Sequence, residues 1–396
     1  MRWIVPGLVA ALLLASPVAK GEEPAFSTSI LFPFEKKHNH ASCVVELADG
    51  SLLATWYTGS GERKSDDVRI VGARLKKGAT AWGPVFEMAD TPGYPDCNPS
   101  VFVGQDKALW LFWPTILDHR WEGALLKFAR AEDGTGEGTP RWTREGVIHI
   151  TPVKFEDDIQ SSLKTVTAEE RAKHKAEVDE LESRAKDLIY QRLGWMPRVR
   201  PIVLPSGRWL LPLYTDTYSM SLVAISDDQG ATWQTSRPMI GFGNIQPSLV
   251  RKKDGTIVAF MRENGPRQKI RLSTSKDEGQ TWSVVTESSL PNPGAGVDAI
   301  LLASGAWAII YNDLTDGRHS LAISLSDDEG ATWPITRHVE SHAKKDGSYH
   351  YPSILQDSDG AIHVTYTNGG KPEGSTIQHA RLNEAWIRQG DPTPKR

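Results

Sequence analysis

The 396-residue sequence holds only two cysteines, Cys43 and Cys97. Two thiols cannot form a disulfide framework, and without histidines at ligand spacing they make a poor zinc site. In an oxidising compartment they could still pair with each other. Basic charge is not in excess: 45 Lys and Arg stand against 49 Asp and Glu, a net charge of −4, which speaks against a nucleic-acid footprint. Beyond the N-terminus no run is apolar and long enough to cross a bilayer. No nucleotide or flavin motif occurs and no spacing supports a bound calcium, so no cofactor and no metal are expected. Glycine, proline and tryptophan are plentiful at 34, 25 and 14, a composition suited to short strands and tight turns.

The N-terminus, MRWIVPGLVAALLLASPVAKG, joins an early arginine to an apolar run and then to small residues. That is the layout of a secretory signal over residues 1–21, and it predicts export to the periplasm or the exterior.

The chain repeats. SDDQGATW (Ser226–Trp233), SKDEGQTW (Ser275–Trp282) and SDDEGATW (Ser326–Trp333) share S-x-D-x-G-x-T-W, their tryptophans 49 and 51 residues apart. The chemistry is that of a turn: Asp caps backbone amides, Gly supplies a positive φ and Trp anchors the turn. The paired acids are therefore read as structural. A worn copy, LKKGATAW, precedes Pro84. Ahead of these boxes run six apolar hairpins, at Ser42–Tyr57, Pro99–Trp113, Pro201–Tyr214, Pro247–Arg262, Ala299–Asp313 and Pro352–Thr367. Six such units predict an all-β, six-bladed β-propeller with Asp-box turns over residues 26–390. STSILF near Ser29 and TIQHARL near Thr376 are placed to close the last blade by pairing the chain ends.

Residues 155–195 break the period with a helical insertion. Thr167 and Glu170 form a capping box, and Val178, Leu181, Ala185, Leu188 and Ile189 form an apolar stripe. Packing against the propeller side and covering the site are equally open for this segment.

In a propeller the heads of the innermost strands converge on a central channel. The residues there are His38, His40, Cys97, Asn98, Arg198, Arg200, Gln246, Asp298 and Tyr349–Tyr351, joined by the loop YTGSGERKSDDVR (Tyr57–Arg69) and by Arg262, Arg267 and Arg318. Several arginines around one cavity suggest an anionic substrate, with carboxylate the natural match for a guanidinium fork. Trp56, Trp110, Trp113 and Trp121 are possible sugar platforms, though large aromatics usually belong to the core.

Together with the boxes, HYPSILQDSDG, YNDLTDGRHSLAISLSDDEGATW, HASCVVELADG, CNPSV and NPGAGVDAILL resemble the sialidase (neuraminidase) superfamily. The likeness is greatest to its BNR-repeat, exo-alpha-sialidase-like branch. It spans about residues 30 to 382 apart from the insertion. It implies a tyrosine nucleophile activated by a glutamate, an aspartate acid/base, and three arginines on a substrate carboxylate. Tyr351 matches the tyrosine and Arg318 one arginine, while Arg262 or Arg267 matches another. Asp67 matches the acid/base, with Asp66 and Glu62 as alternates. Arg198, Asp298 and Asn98 are further substrate-binding candidates.

Two positions depart from the family pattern. His40 stands where a sialidase has its first arginine, and Gln246 stands where it has the activating glutamate. An amide cannot accept a proton from tyrosine. The sequence therefore supports an exported sialidase-like glycoside hydrolase acting on terminal acidic sugars. A polysaccharide lyase using His40 and Tyr351 on uronate-containing glycans, and a non-catalytic glycan-binding propeller, are the alternatives.

Overall fold

A computed structural model describes residues 23–392; the expected signal segment lies outside the described residues. Six antiparallel sheets make a six-bladed β-propeller. The innermost strands are His40–Glu46, Ser100–Val103, Met196–Pro197 with Ile202–Val203, Asn244–Arg251, Asp298–Leu301 and Ser348–Gln356. The last blade is closed as expected: Phe26–Ile30 pairs with Gly374–Leu382, Ser29 opposite His379.

The core is a ring of six clusters, each filling the wedge between neighbouring blades. One example joins Leu210, Val223 and Ile225 to Leu249, Ile257 and Ala259. Alternation along each strand sends one set of side chains to each flanking wedge, so the strands are buried on both faces. Trp56, Trp110 and Trp113 are buried in these wedges and are scaffold. Cys43 and Cys97 are both buried and unpaired.

The three Asp boxes share one hydrogen-bond pattern. In the first, the Asp228 carboxylate accepts from the Thr232 amide (2.8 Å) and hydroxyl (2.6 Å), and Ser226 Oγ accepts from the Gly230 amide (2.8 Å). In the third, the same donors from Thr332, joined by Ser326, hold the exposed Asp328 carboxyl down to about 2. These acids are turn chemistry. Gln229, Glu278 and Glu329 also carry positive φ (56°, 56° and 58°), so each box has two left-handed residues in succession and not the glycine alone.

The insertion forms helices at Phe155–Leu163, Ala168–Lys173, Lys175–Lys186 and Leu188–Arg192. The Thr167–Glu170 capping box is present. Phe155, Ile159, Leu163 and Ala185 pack into the wedge between the second and third blades, with Val178 and Leu181 beside them. Leu188 and Ile189 are instead exposed, because Asp187 caps a new helix at Ile189 and turns them off the stripe. Arg237 Nε donates to Asp158 Oδ2 (2.8 Å) and ties the first of these helices to the propeller.

Candidate functional site

The strand heads are built by a repeated backbone irregularity. Pairing skips between His40 and Cys43, between Ile245 and Ser248, and between His350 and Ser353. Such a bulge bends a strand and re-aims a side chain. Ala41 (φ 58°), Gln246 (57°) and Tyr351 (47°) occupy these bulges in the left-handed region, and Asn98 (42°) does so ahead of the second blade. Each costs about 1–3 kcal/mol for a non-glycine residue, and the surrounding sheets hold it in place.

At the centre is Tyr351. Its hydroxyl oxygen accepts from Gln246 Nε2 (3.0 Å) and from an Arg262 terminal nitrogen (3.2 Å). Beneath the ring lies the buried Arg198 guanidinium, 4.7 Å from the ring centroid, which donates to the Pro352 carbonyl at 2.8 Å. Gly296 leaves room for the ring, since a Cβ there would stand 2.8 Å from Tyr351 Cδ1. Asn98 Nδ2 donates to the Tyr214 hydroxyl (3.2 Å) on the floor.

Three histidines flank the tyrosine. The His40 ring is 4.5 Å from the Tyr351 ring and 5.3 Å from His350, and its Nδ1 lies 3.2 Å from Thr367 Oγ1. Burial, reinforced by His350, His38, Arg318 and Arg198, holds His40 well below the ordinary histidine range. His350 is pushed down to about 3, by burial and then by Arg318. Arg318 donates to His350 Nδ1 (2.7 Å) and to the Gly294 carbonyl (2.6 Å). Burial lowers His38 as well, against the opposing pull of Glu62.

The sequence candidates thus divide. Tyr351, Gln246, His40, Arg262, Arg318 and Arg198 come together around one channel, with Asn98 below them. Arg267 goes elsewhere: it is exposed and paired with Glu287 at 2.9 Å. Asp67 holds its own loop, one oxygen accepting from the Ser60 hydroxyl (2.8 Å) and both from the Ser60 amide. Glu62 accepts from the Tyr57 hydroxyl (2.8 Å) and pairs with Arg63 (3.0 Å), while Asp66 meets His119 (2.6 Å). Asp298 is buried and joins three blades, accepting from Ser248 Oγ (2.8 Å) and the Ile354 amide (3.0 Å) with Arg200 3.7 Å away. Tyr349 is core.

Asp216 escaped the sequence reading. It follows the strand Trp209–Thr215, and burial raises its carboxyl against the pull of Arg262 and Arg63. Among the described residues its carboxylate makes no hydrogen bond. The signal for it was weak: an acid just past the second strand of the third blade, as the Tyr57–Arg69 loop lies just past that of the first.

Comparison with known proteins agrees with this architecture. A family model described as a BNR repeat-like domain matches residues 183–364. A sialidase from Micromonospora viridifaciens is 26% identical over 415 residues, covering 96% of this chain, which spans 57% of that protein's length. Among solved structures, a Streptococcus pneumoniae NanB sialidase aligns with a TM-score of 0.67 at 13% identity, over 91% of this chain and 71% of that one. A Dyadobacter fermentans protein of unknown function aligns with the same TM-score at 16% identity, over 90% and 97%. Repeats, blade count and both kinds of likeness coincide: the chain carries a BNR repeat-like domain over residues 183–364 and is similar to sialidases in sequence and in fold.

Proposed function

We propose that this chain is an exported sialidase-like glycoside hydrolase that cleaves a terminal, carboxylate-bearing sugar from glycans. One observation carries the reading. The hydrogen bonds of Arg198, Arg262 and Arg318 go to neutral groups, namely backbone carbonyls, His350, Asn264 and Tyr351. A buried cation such as Arg198 left without an anion is costly, and a carboxylate ligand at the half-buried Arg262 and Arg318 supplies negative charge beside it.

In this reading Tyr351 attacks the anomeric carbon. Gln246 cannot take the phenolic proton, so neutral His40, held at Nδ1 by Thr367, receives it on Nε2. The bond to the leaving oxygen breaks, and that oxygen takes a proton from Asp216. The choice of acid follows from commitment: Asp67 is occupied by Ser60 and Glu62 by Tyr57 and Arg63. Asp216 is half-buried, and desolvation raises its carboxyl, which favours the protonated form. Water then resolves the glycosyl-tyrosine, with His40 and Asp216 returning to their starting states.

The test is incubation with a panel of sialosides and uronate-containing polysaccharides. Release of free acidic sugar supports hydrolysis. A new ultraviolet absorbance from an unsaturated uronate would replace hydrolysis with elimination, and binding without turnover would reduce the channel to a lectin.

A further inference from the structure

Where Arg267 lies, the insertion and the fourth blade enclose a second cavity of about 690 Å³, within the usual range of ligand pockets. Val166, Val178 and Leu181 line it from the insertion, and Phe242 and Val284 line it from the propeller. It adjoins the channel. In the strand Ile257–Glu263, successive side chains point to opposite faces, so Arg262 reaches Tyr351 while Glu263 faces this cavity. Asn264 spans the threshold, 3.5 Å from Arg262 and donating to Ser219 Oγ at 2.7 Å.

The floor has unused polar capacity. Glu263 and Arg271 are buried, at 2% and 5% exposure. Glu263 Oε2 and Arg271 Nε stand 3.5 Å apart, and neither makes a hydrogen bond. An acceptor and a donor side by side match a sugar hydroxyl pair, each hydroxyl giving one bond and taking another. The charged lining comprises three arginines and four glutamates, so the cavity selects neither an anion nor a cation. The apolar wall suits the C–H faces of a sugar ring.

Resting on the proposed hydrolysis, we infer that this cavity is a neutral-saccharide subsite that holds the part of the glycan adjoining the terminal acidic sugar, with the helical insertion as its outer wall.

The test compares, with the full chain, an aryl glycoside and a lactose glycoside of the same acidic sugar. Val178→Trp fills the cavity from the helix side, and Phe242→Ala removes the facing wall without adding bulk. Each should raise KM for the lactoside about tenfold, roughly 1.4 kcal/mol, and leave the aryl glycoside unchanged. An equal rise for both substrates, or no rise for either, overturns the inference. Saturation-transfer NMR with free lactose separates it from the hydrolase reading, because it needs no turnover. Transfer in the wild type that is lost in both variants supports the subsite, even if no glycoside is cleaved. Its absence in the wild type, or its persistence in both variants, sinks it.

Discussion

Two clusters of histidines sit at opposite ends of one hairpin in the last blade, half-buried at the channel end and buried at the far end. At the channel end, His350 and Tyr351 head the strand Ser348–Gln356 beside His40. At the far end, Trp82 Nε1 donates to His379 Nδ1 (3.3 Å), His379 Nε2 meets His363 Nδ1 (2.9 Å), and His363 Nε2 meets Asp357 Oδ2 (2.9 Å). Tryptophan can only donate, so the direction of the whole far chain is fixed: every histidine nitrogen is used and both rings are neutral. That relay links the first blade to the last, with the closing strand alongside through Ser29. The channel cluster is chemically similar and differently finished. Gln246 Oε1, Arg262 Nε and Arg198 Nε are buried without partners. Buried polar groups with all their bonds made are structure; several with bonds to spare, gathered on one channel, are a place for a ligand.

Substitution should separate the two ends, and the largest effect is expected in the channel. Tyr351→Phe removes the hydroxyl and keeps the ring over Arg198, so turnover should fall roughly a thousandfold or more with the melting temperature nearly unchanged. Retained activity would remove Tyr351 from the reaction. At the far end, His379→Ala leaves Trp82 Nε1 and His363 Nδ1 without partners and should cost about 3 kcal/mol in denaturant unfolding, with kcat unaltered in the folded fraction. A loss of kcat instead would mean that the relay communicates with the channel.

Much of this was legible in the sequence. Six hairpins and three boxes specify the blades because each unit repeats its turn chemistry, and the pairing of Ser29's strand with Thr376's followed from the incomplete last blade. The choice between Arg262 and Arg267 was not legible. It depends on Arg262 ending a strand opposite Ile245, beside the bulge that carries Gln246, whereas Arg267 lies in the turn beyond. The aim of Gln246 and Tyr351 depends on positive φ in residues that precede proline, where composition argues against it. The far relay joins residues from blades at opposite ends of the chain, so no local pattern announces it. The contacts of Asp67 were equally hidden: its carboxylate accepts from the amide and hydroxyl of Ser60, seven residues earlier in the same loop.

Acid should weaken both ends, and a ligand should tell them apart. His379 and His350 are each pushed down to about 3 in the folded chain, chiefly by burial, against an ordinary value of 6.5. The folded state therefore binds fewer protons than the unfolded chain between those values. The stability is fully present above pH 6.5 and declines as pH falls toward 3, at up to about 1.4 kcal/mol per pH unit per histidine. By pH 5 each should cost about 2 kcal/mol, read from urea midpoints across the series. A carboxylate ligand beside Arg318 offsets the repulsion on His350 and should flatten part of that slope. His379, remote from the channel, keeps its share. A slope unchanged by saturating ligand would place the anion away from Arg318.

The smallest effect sharpens the comparison most, because it concerns the one residue that makes the channel unlike a complete relay. Gln246→Glu replaces an amide that donates to Tyr351 by a carboxylate that accepts from it, with Arg262 close enough to balance the new charge. A general base that had no substitute would contribute roughly 10²–10⁴-fold. If His40 already takes the phenolic proton, the gain should be only about tenfold in kcat. His40→Asn would test that sharing: in the wild-type background it should remove most activity, and combined with Gln246→Glu it should leave most in place. A drop in kcat on Gln246→Glu alone would mean that the tyrosine oxygen needs the amide donor more than a base, and the proton path through His40 would have to be abandoned.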